Sequence, residues 1–171
     1  MRDALTGLAT TRDLAERVAA ASGFALWIDI DCLIWLNDQF GHDAGDAAIR
    51  TIAQAIRNES GCDSRDLHRV GGDEFIVLLG DIDEAAAIAR ATRIRDAIDA
   101  LAIPYRRHDR PQADRLRTNI AAFAIARDAL AASLLGSRFA APLDQLFAEA
   151  VHREKLRSGM MAGVVVVVAA D

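Results

Sequence analysis

Residues 69 to 75 read Arg-Val-Gly-Gly-Asp-Glu-Phe, set between the apolar runs Leu67–Val70 and Phe75–Leu79. Two short β-prone runs separated by a glycine pair dictate a reversal of the chain, so an antiparallel hairpin is expected at this point. The glycine pair predicts the positive φ angles of a two-residue turn and leaves no Cβ to obstruct a close ligand. The backbone N–H groups of Gly71 and Gly72 are then candidate phosphate donors, and Asp73 and Glu74 are carboxylates held at the bend. For the motif in isolation, an ordinary hairpin with solvated acids is the competing reading.

The rest of the chain builds a layered domain around that hairpin. Phe24-Ala-Leu-Trp-Ile-Asp-Ile-Asp31 is a nearly continuous apolar run ending in two carboxylates, the pattern of a central strand covered on both faces. Before it, Leu14, Val18 and Ala21 fall at helical spacing over about 11–21, and Gly23 stops that helix. After it, residues 33–58 read as helix, an interruption at Gly41-His42-Asp43-Ala44-Gly45-Asp46, and helix again, with Asp46 placed to cap the second. Asp83 to Leu101 is an alanine-rich amphipathic helix, and Pro104–Asp114 is polar, basic and loop-like. Leu116–Ile125 is a further strand, 142–157 a helix and Val164–Val168 a closing strand. Strands and helices mix without strict alternation around a central hairpin. The fold class expected is therefore α/β with a mixed sheet flanked by helices, as one domain over 1–171.

Composition narrows the function. With 171 residues and 52% apolar content the chain can bury one core unaided. The net charge of −5 argues against a broad nucleic-acid footprint and favours a small anionic ligand held by metal. Cys32 and Cys62 have no zinc spacing and read as free thiols in a cytoplasmic protein. The longest apolar run, Met160–Ala170, is about half of a membrane span, so no membrane segment is expected within the chain.

Asp29 and Asp31 close one central strand, and Asp73 and Glu74 occupy the hairpin bend. Grouped carboxylates repel unless a hard divalent cation joins them. Mg²⁺ or Mn²⁺ suits the set, because Mg²⁺ takes one or two protein carboxylates and completes its shell with water and substrate phosphates.

At this level of detail the chain resembles the GGDEF domain, the catalytic module of diguanylate cyclases, whose fold is similar to the palm of nucleotidyl polymerases and cyclases. The resemblance rests on Asp3-Ala-Leu-Thr-Gly-Leu8, Ile28-Asp-Ile-Asp31, Asn37-Asp-Gln-Phe-Gly-His-Asp-Ala-Gly-Asp46 and Arg69-Val-Gly-Gly-Asp-Glu-Phe75, in that order. Past residue 80 it thins to Thr118–Ala124 and Lys155. It implies condensation of two GTP into cyclic di-GMP with release of two pyrophosphates, by a homodimer in which each subunit contributes one half-site. It implies a metal held by Asp29, the carbonyl of Ile30 and Asp73, with Glu74 assisting metal binding or activation of the 3′-hydroxyl. Asn37 and Asp46 would read guanine, and Lys155 would join Gly71 and Gly72 at the phosphates.

Several positions depart from the family pattern. Ile34 stands where a phosphate-contacting lysine is usual, leaving Arg153, Lys155 or Arg157 to supply the charge. Ala122 replaces a usual glycine, and Gly159-Met-Met161 lacks the arginine and asparagine common there. Gly61-Cys-Asp-Ser-Arg-Asp66 lacks the Arg-x-x-Asp pattern of the inhibitory product site, so no such site is expected, with Arg65 and Arg69 left as candidate anion contacts. Trp35 is a candidate anchor for a protein partner or an upstream sensor domain, the alternative being that it lies over its own domain. The alternatives to an active cyclase are a degenerate module that binds GTP or a protein without turnover, and a nucleotidyl cyclase of altered base choice.

Overall fold

The computed structural model describes residues 1–18, 21–107, 110–125, 152, 154, 163 and 165–168. Helix α1 (Thr11–Val18) leads into strand β1 (Phe24–Asp31), and helices α2 (Leu33–Phe40) and α3 (His42–Ser60) follow. Strands β2 (Leu67–Arg69) and β3 (Glu74–Gly80) form the hairpin, and helix α4 (Glu84–Ala100) succeeds them. Strands β4 (Pro104–Arg107), β5 (Arg110–Arg115), β6 (Arg117–Ala124) and β7 (Val165–Val168) complete the order. The main sheet runs β2-β3-β1-β6-β7, antiparallel except for the parallel β6–β7 pair.

Alternation along β1 gives the sheet two different faces. Leu26, Ile28 and Ile30 point to the face covered by α3 and α4, where they meet Ile49, Ile52, Ile56, Ile94 and Ile98. Each such side chain contributes about 1.5–3 kcal/mol when fully buried. Ala25 and Trp27 point to the opposite face, joining Leu14, Val18, Ile76, Leu78, Ala121 and Phe123 in a smaller cluster. That second cluster covers only part of its face, and the uncovered remainder carries the acids.

The mixed sheet and its flanking helices match the expected fold class, and β1 occupies the span read from sequence. Four local expectations are corrected. The break between α2 and α3 is one residue, Gly41 at φ 85°, a left-handed value that glycine alone adopts without strain. Because α3 starts at His42, Asp46 lies within the helix and caps nothing. The polar segment Pro104–Asp114 is a β-hairpin, β4 against β5, held to α2 by the Arg106 N–H donating to Gln39 Oε1 at 3.0 Å. Helix α1 is described over Thr11–Val18, residues 19–20 lie outside the described residues, and Ala21 is not helical. The helix expected over 142–157 lies outside the described residues apart from His152 and Glu154, both helical. For α4 the cap is Asp83, whose carboxylate accepts from the Ala86 N–H at 2.7 Å, worth about 1 kcal/mol.

Candidate active site

The ladder registers fix which side chains share the open patch. Across β3, β1 and β6 the rows on that face are Leu78–Ala25–Phe123, then Ile76–Trp27–Ala121, then Glu74–Asp29–Asn119. The first two are apolar and belong to the smaller cluster. The third is wholly polar, so the face changes character within one strand step, with Trp27 as the apolar floor behind the acids. Directly paired residues on one face stand with Cβ atoms about 4.5–5.5 Å apart. Asp31 follows on the same face, opposite Arg117.

Asp73 joins this group through its backbone: its carbonyl accepts from the Ile30 N–H at 3.1 Å, extending the β1–β3 ladder one bond into the bend. Asp29, Ile30, Asp73 and Glu74 are thereby brought together. Among the described residues no three His, Cys, Asp or Glu side chains converge closely enough to hold an ion unaided. The donors available are two carboxylates and a carbonyl, leaving positions for water and phosphate oxygens, which is the donor set Mg²⁺ prefers. The residues present fit a hard divalent cation bound together with its substrate.

The glycine pair works differently from the two-residue turn expected of it. Neither Gly71 nor Gly72 has a positive φ. The last ladder pair is Arg69 with Phe75, and the Val70 and Gly71 N–H groups both donate to the Glu74 carbonyl, at 3.0 and 3.4 Å. Gly71-Gly72-Asp73 is thus a three-residue loop. Its glycines serve close approach: a Cβ on Gly71 would lie 2.3 Å from Glu74 Oε2, while a Cβ on Gly72 would meet nothing within 4 Å. Gly71 gives Glu74 its place, and Gly72 faces open space.

Arg69 holds this loop from below. One guanidinium nitrogen donates to the Gly72 carbonyl at 2.7 Å and another pairs with Asp3 at 3.2 Å. Asp3 is itself fixed by the Thr6 N–H and hydroxyl at 2.8 and 2.7 Å. Burial works to raise the Asp3 pKa, yet the Thr6 hydrogen bonds and the Arg69 charge outweigh it and hold the value below the usual 3.8. Arg69 is therefore a structural cation of the hairpin, and Arg65 pairs with Asp63 on the surface.

The segment from Asp31 to Asp46 is organised by two features that sequence reasoning missed. Cys32, at φ 67°, turns the chain sharply between Asp31 and Leu33, so that α2 begins immediately after the acidic strand. A non-glycine residue in this conformation costs on the order of 1–2 kcal/mol, strain of the kind found beside functional sites. Gly45, buried in α3, lets the Asn37 side chain lie on its backbone; a Cβ there would be 1.9 Å from Asn37 Oδ1. That oxygen is buried and makes no hydrogen bond to a described residue. Asp46, the next residue, is exposed. Asn37 and Asp46 are thus adjacent on two helices, one with an unused acceptor and the other open to solvent.

Lys155, Arg153 and Arg157 lie outside the described residues. Trp35 is half-buried and packs on the main core, in keeping with the reading in which it lies over its own domain. The exposed apolar side chains of α2 are Ile34 at 66% and Phe40 at 57%. No helix among the described residues is long and apolar enough to cross a membrane.

The family described as "Diguanylate cyclase, GGDEF domain" matches residues 1–137. Diguanylate cyclase A of Treponema denticola is 39% identical over 80 residues, covering 47% of this chain and 21% of that protein. The response regulator PleD of Caulobacter vibrioides is 41% identical over 103 residues, covering 54% of this chain and 22% of that protein. The chain therefore spans only a minor part of these relatives. A structure of TpbB (YfiN) from Pseudomonas aeruginosa, comprising only its GGDEF domain, superposes with a TM-score of 0.64 at 27% identity, covering 99% of this chain and 95% of that one. The chain belongs to the GGDEF diguanylate cyclase family.

Proposed function

We propose that this domain is an active diguanylate cyclase that joins two GTP into cyclic di-GMP, with Mg²⁺ or Mn²⁺ as its cation. Support comes above all from one observation, the ladder that sets Glu74 opposite Asp29 while the Asp73 carbonyl closes on Ile30. Asp29, the Ile30 carbonyl and Asp73 would hold the cation, which when bound supplies Lewis acidity at the α-phosphate and lowers the pKa of the attacking 3′-hydroxyl.

The chain's own residues bind and orient. Asp46 accepts from guanine N1–H and the exocyclic amine together, a donor pair that adenine lacks on that edge, and Asn37 offers its buried amide beside it. Leaving such a group unpaired costs about 1–3 kcal/mol, and more for a charged one, so ATP is discriminated against. Gly72 gives the phosphates an unobstructed backbone, and Glu74, seated by Gly71, stands next to the cation position to receive the hydroxyl proton. Each domain takes one GTP, so ring closure requires two domains facing each other about a two-fold axis. Catalysis then consists of positioning and charge neutralisation, without a covalent enzyme intermediate.

A GTP-binding module without turnover is the second reading, favoured by the exposed apolar Ile34 at the position where a phosphate lysine is usual. Incubating the domain with GTP, and separately with ATP, in Mg²⁺ and in Mn²⁺ tests both by mass spectrometry, beside Asp73→Ala. Cyclic di-GMP from GTP that vanishes in the variant is the expected result. GTP binding without product supports the second reading, and a mixed cyclic product indicates altered base choice.

A further inference from the structure

Two carboxylates of β1, Asp29 and Asp31, lie on the same face about 7 Å apart along the strand, and either could serve a cation. The sheet distinguishes them. Asn119, on β6 and 2% exposed, donates from Nδ2 to Asp31 Oδ2 at 2.6 Å. In the strand order β3-β1-β6, this bond draws the Asp31 carboxylate to the β6 side, where Arg117 also stands opposite it. Asp73 and Glu74 approach β1 from the other side, on β3 and its bend. Asn119 itself occupies the row of Asp29, so at that row β6 contributes a neutral amide where a third acid would add charge.

We propose that Asn119 is a positioning residue: by tethering Asp31 toward β6 it keeps that carboxylate off the cation, so that Asp29 alone serves from β1 and coordination positions stay open for the triphosphate. The inference rests on the cation site of the proposed function and adds to it a selector on β6. Releasing Asp31 has two opposite consequences. A third carboxylate tightens the bare cation, while it takes a position needed by phosphate and adds negative charge beside it, which weakens the nucleotide.

The test is titration of Mn²⁺ followed by its electron paramagnetic resonance, without nucleotide and with the α,β-methylene analogue of GTP, a readout independent of turnover. Asn119→Ala is expected to bind bare Mn²⁺ about tenfold more tightly and the Mn²⁺–analogue about tenfold more weakly, the scale of one added charge at close range. Asn119→Ala with Asp31→Asn should restore both, and Asp31→Asn alone should stay within about twofold of the parent, since a neutral amide cannot compete for the ion. A purely structural role for Asn119 would lower both affinities together and resist rescue, and that pattern overturns the proposal. So does loss of Mn²⁺ binding in Asp31→Asn, the arm that decides if Asn119→Ala fails to fold by circular dichroism. A parent protein whose Mn²⁺ binding is absent, or unaffected by Asp29→Asn, overturns the cation site and this inference together; parent binding lost in Asp29→Asn with no opposed shifts in Asn119→Ala overturns this inference alone.

Discussion

Replacing Gly45 with alanine separates guanine recognition from stability. The added Cβ would lie 1.9 Å from Asn37 Oδ1 and 2.9 Å from Asn37 Cγ, so the amide must swing away. Only the end of a side chain has to move, and Gly45 is helical without a positive φ, so the backbone accepts alanine. Helix propensity moves in the favourable direction, by up to about 1 kcal/mol. The variant should melt at or slightly above the parent temperature. Displacing Asn37 forfeits a hydrogen bond worth about 1–3 kcal/mol, which is roughly a 5- to 150-fold loss of GTP affinity. The assay pairs a thermal melt with fluorescence titration of GTP, and includes Asn37→Ala and the double variant. Because both single changes remove the same contact, the double variant should bind no more weakly than Asn37→Ala. Unchanged GTP affinity in Gly45→Ala, or additive losses in the double variant, would refute the reasoning.

Three further outcomes follow from the same structure. Gly71→Ala pushes the Glu74 carboxylate from its seat, and kcat should fall on the order of 100-fold while the melting temperature holds, as measured by pyrophosphate release. Asp3→Asn removes the charge paired with Arg69 and should cost about 1–3 kcal/mol in urea denaturation near neutral pH. Since the folded-state pKa of Asp3 is depressed, its contribution is full above the unfolded value near 3.8 and is lost as pH falls through the folded-state value, so the difference between parent and variant should shrink there. His68 is wholly buried in β2, and burial lowers its pKa below 6.5 against the opposing influence of the Thr10 carbonyl and the Asp66 and Asp13 charges. The unfolded chain therefore binds the proton first, and parent stability should decline below pH 6.5 by up to about 1.4 kcal/mol per pH unit, a slope that His68→Asn flattens.

What the sequence disclosed and what it withheld divide along physical lines. Strand β1 and the β2–β3 hairpin were legible because continuous apolar runs and alternation are properties of the covered sheet itself. The acids of the site were legible for the same reason: Asp29 and Asp31 interrupt a hydrophobic strand. The use of the glycines was not. Gly71 and Gly45 exist for what approaches them in space, Glu74 and Asn37, and a sequence shows only that a Cβ is missing. The β4–β5 hairpin was hidden by its polarity, since a two-stranded sheet separate from the main one, tied to the core through Tyr105, lacks the apolar alternation by which strands are recognised. The two readings of Trp35 stayed open in the sequence because helix phase decides burial: Leu33 and Leu36 face the core, Trp35 packs beside them, and Ile34 points outward. The partnership of Asp3 with Arg69 spans 66 residues and could not be read from local pattern.

A crystal structure of the domain with Mn²⁺ and the α,β-methylene analogue of GTP, the ion located by its anomalous scattering, shows directly whether Asp29 and Asp73 share a cation. One cation touching both Asp29 and Asp73 is expected, with phosphate oxygens completing its shell and guanine against Asn37 and Asp46. Manganese bound elsewhere, or carboxylates of Asp29 and Asp73 that do not meet at a common ion, would contradict it.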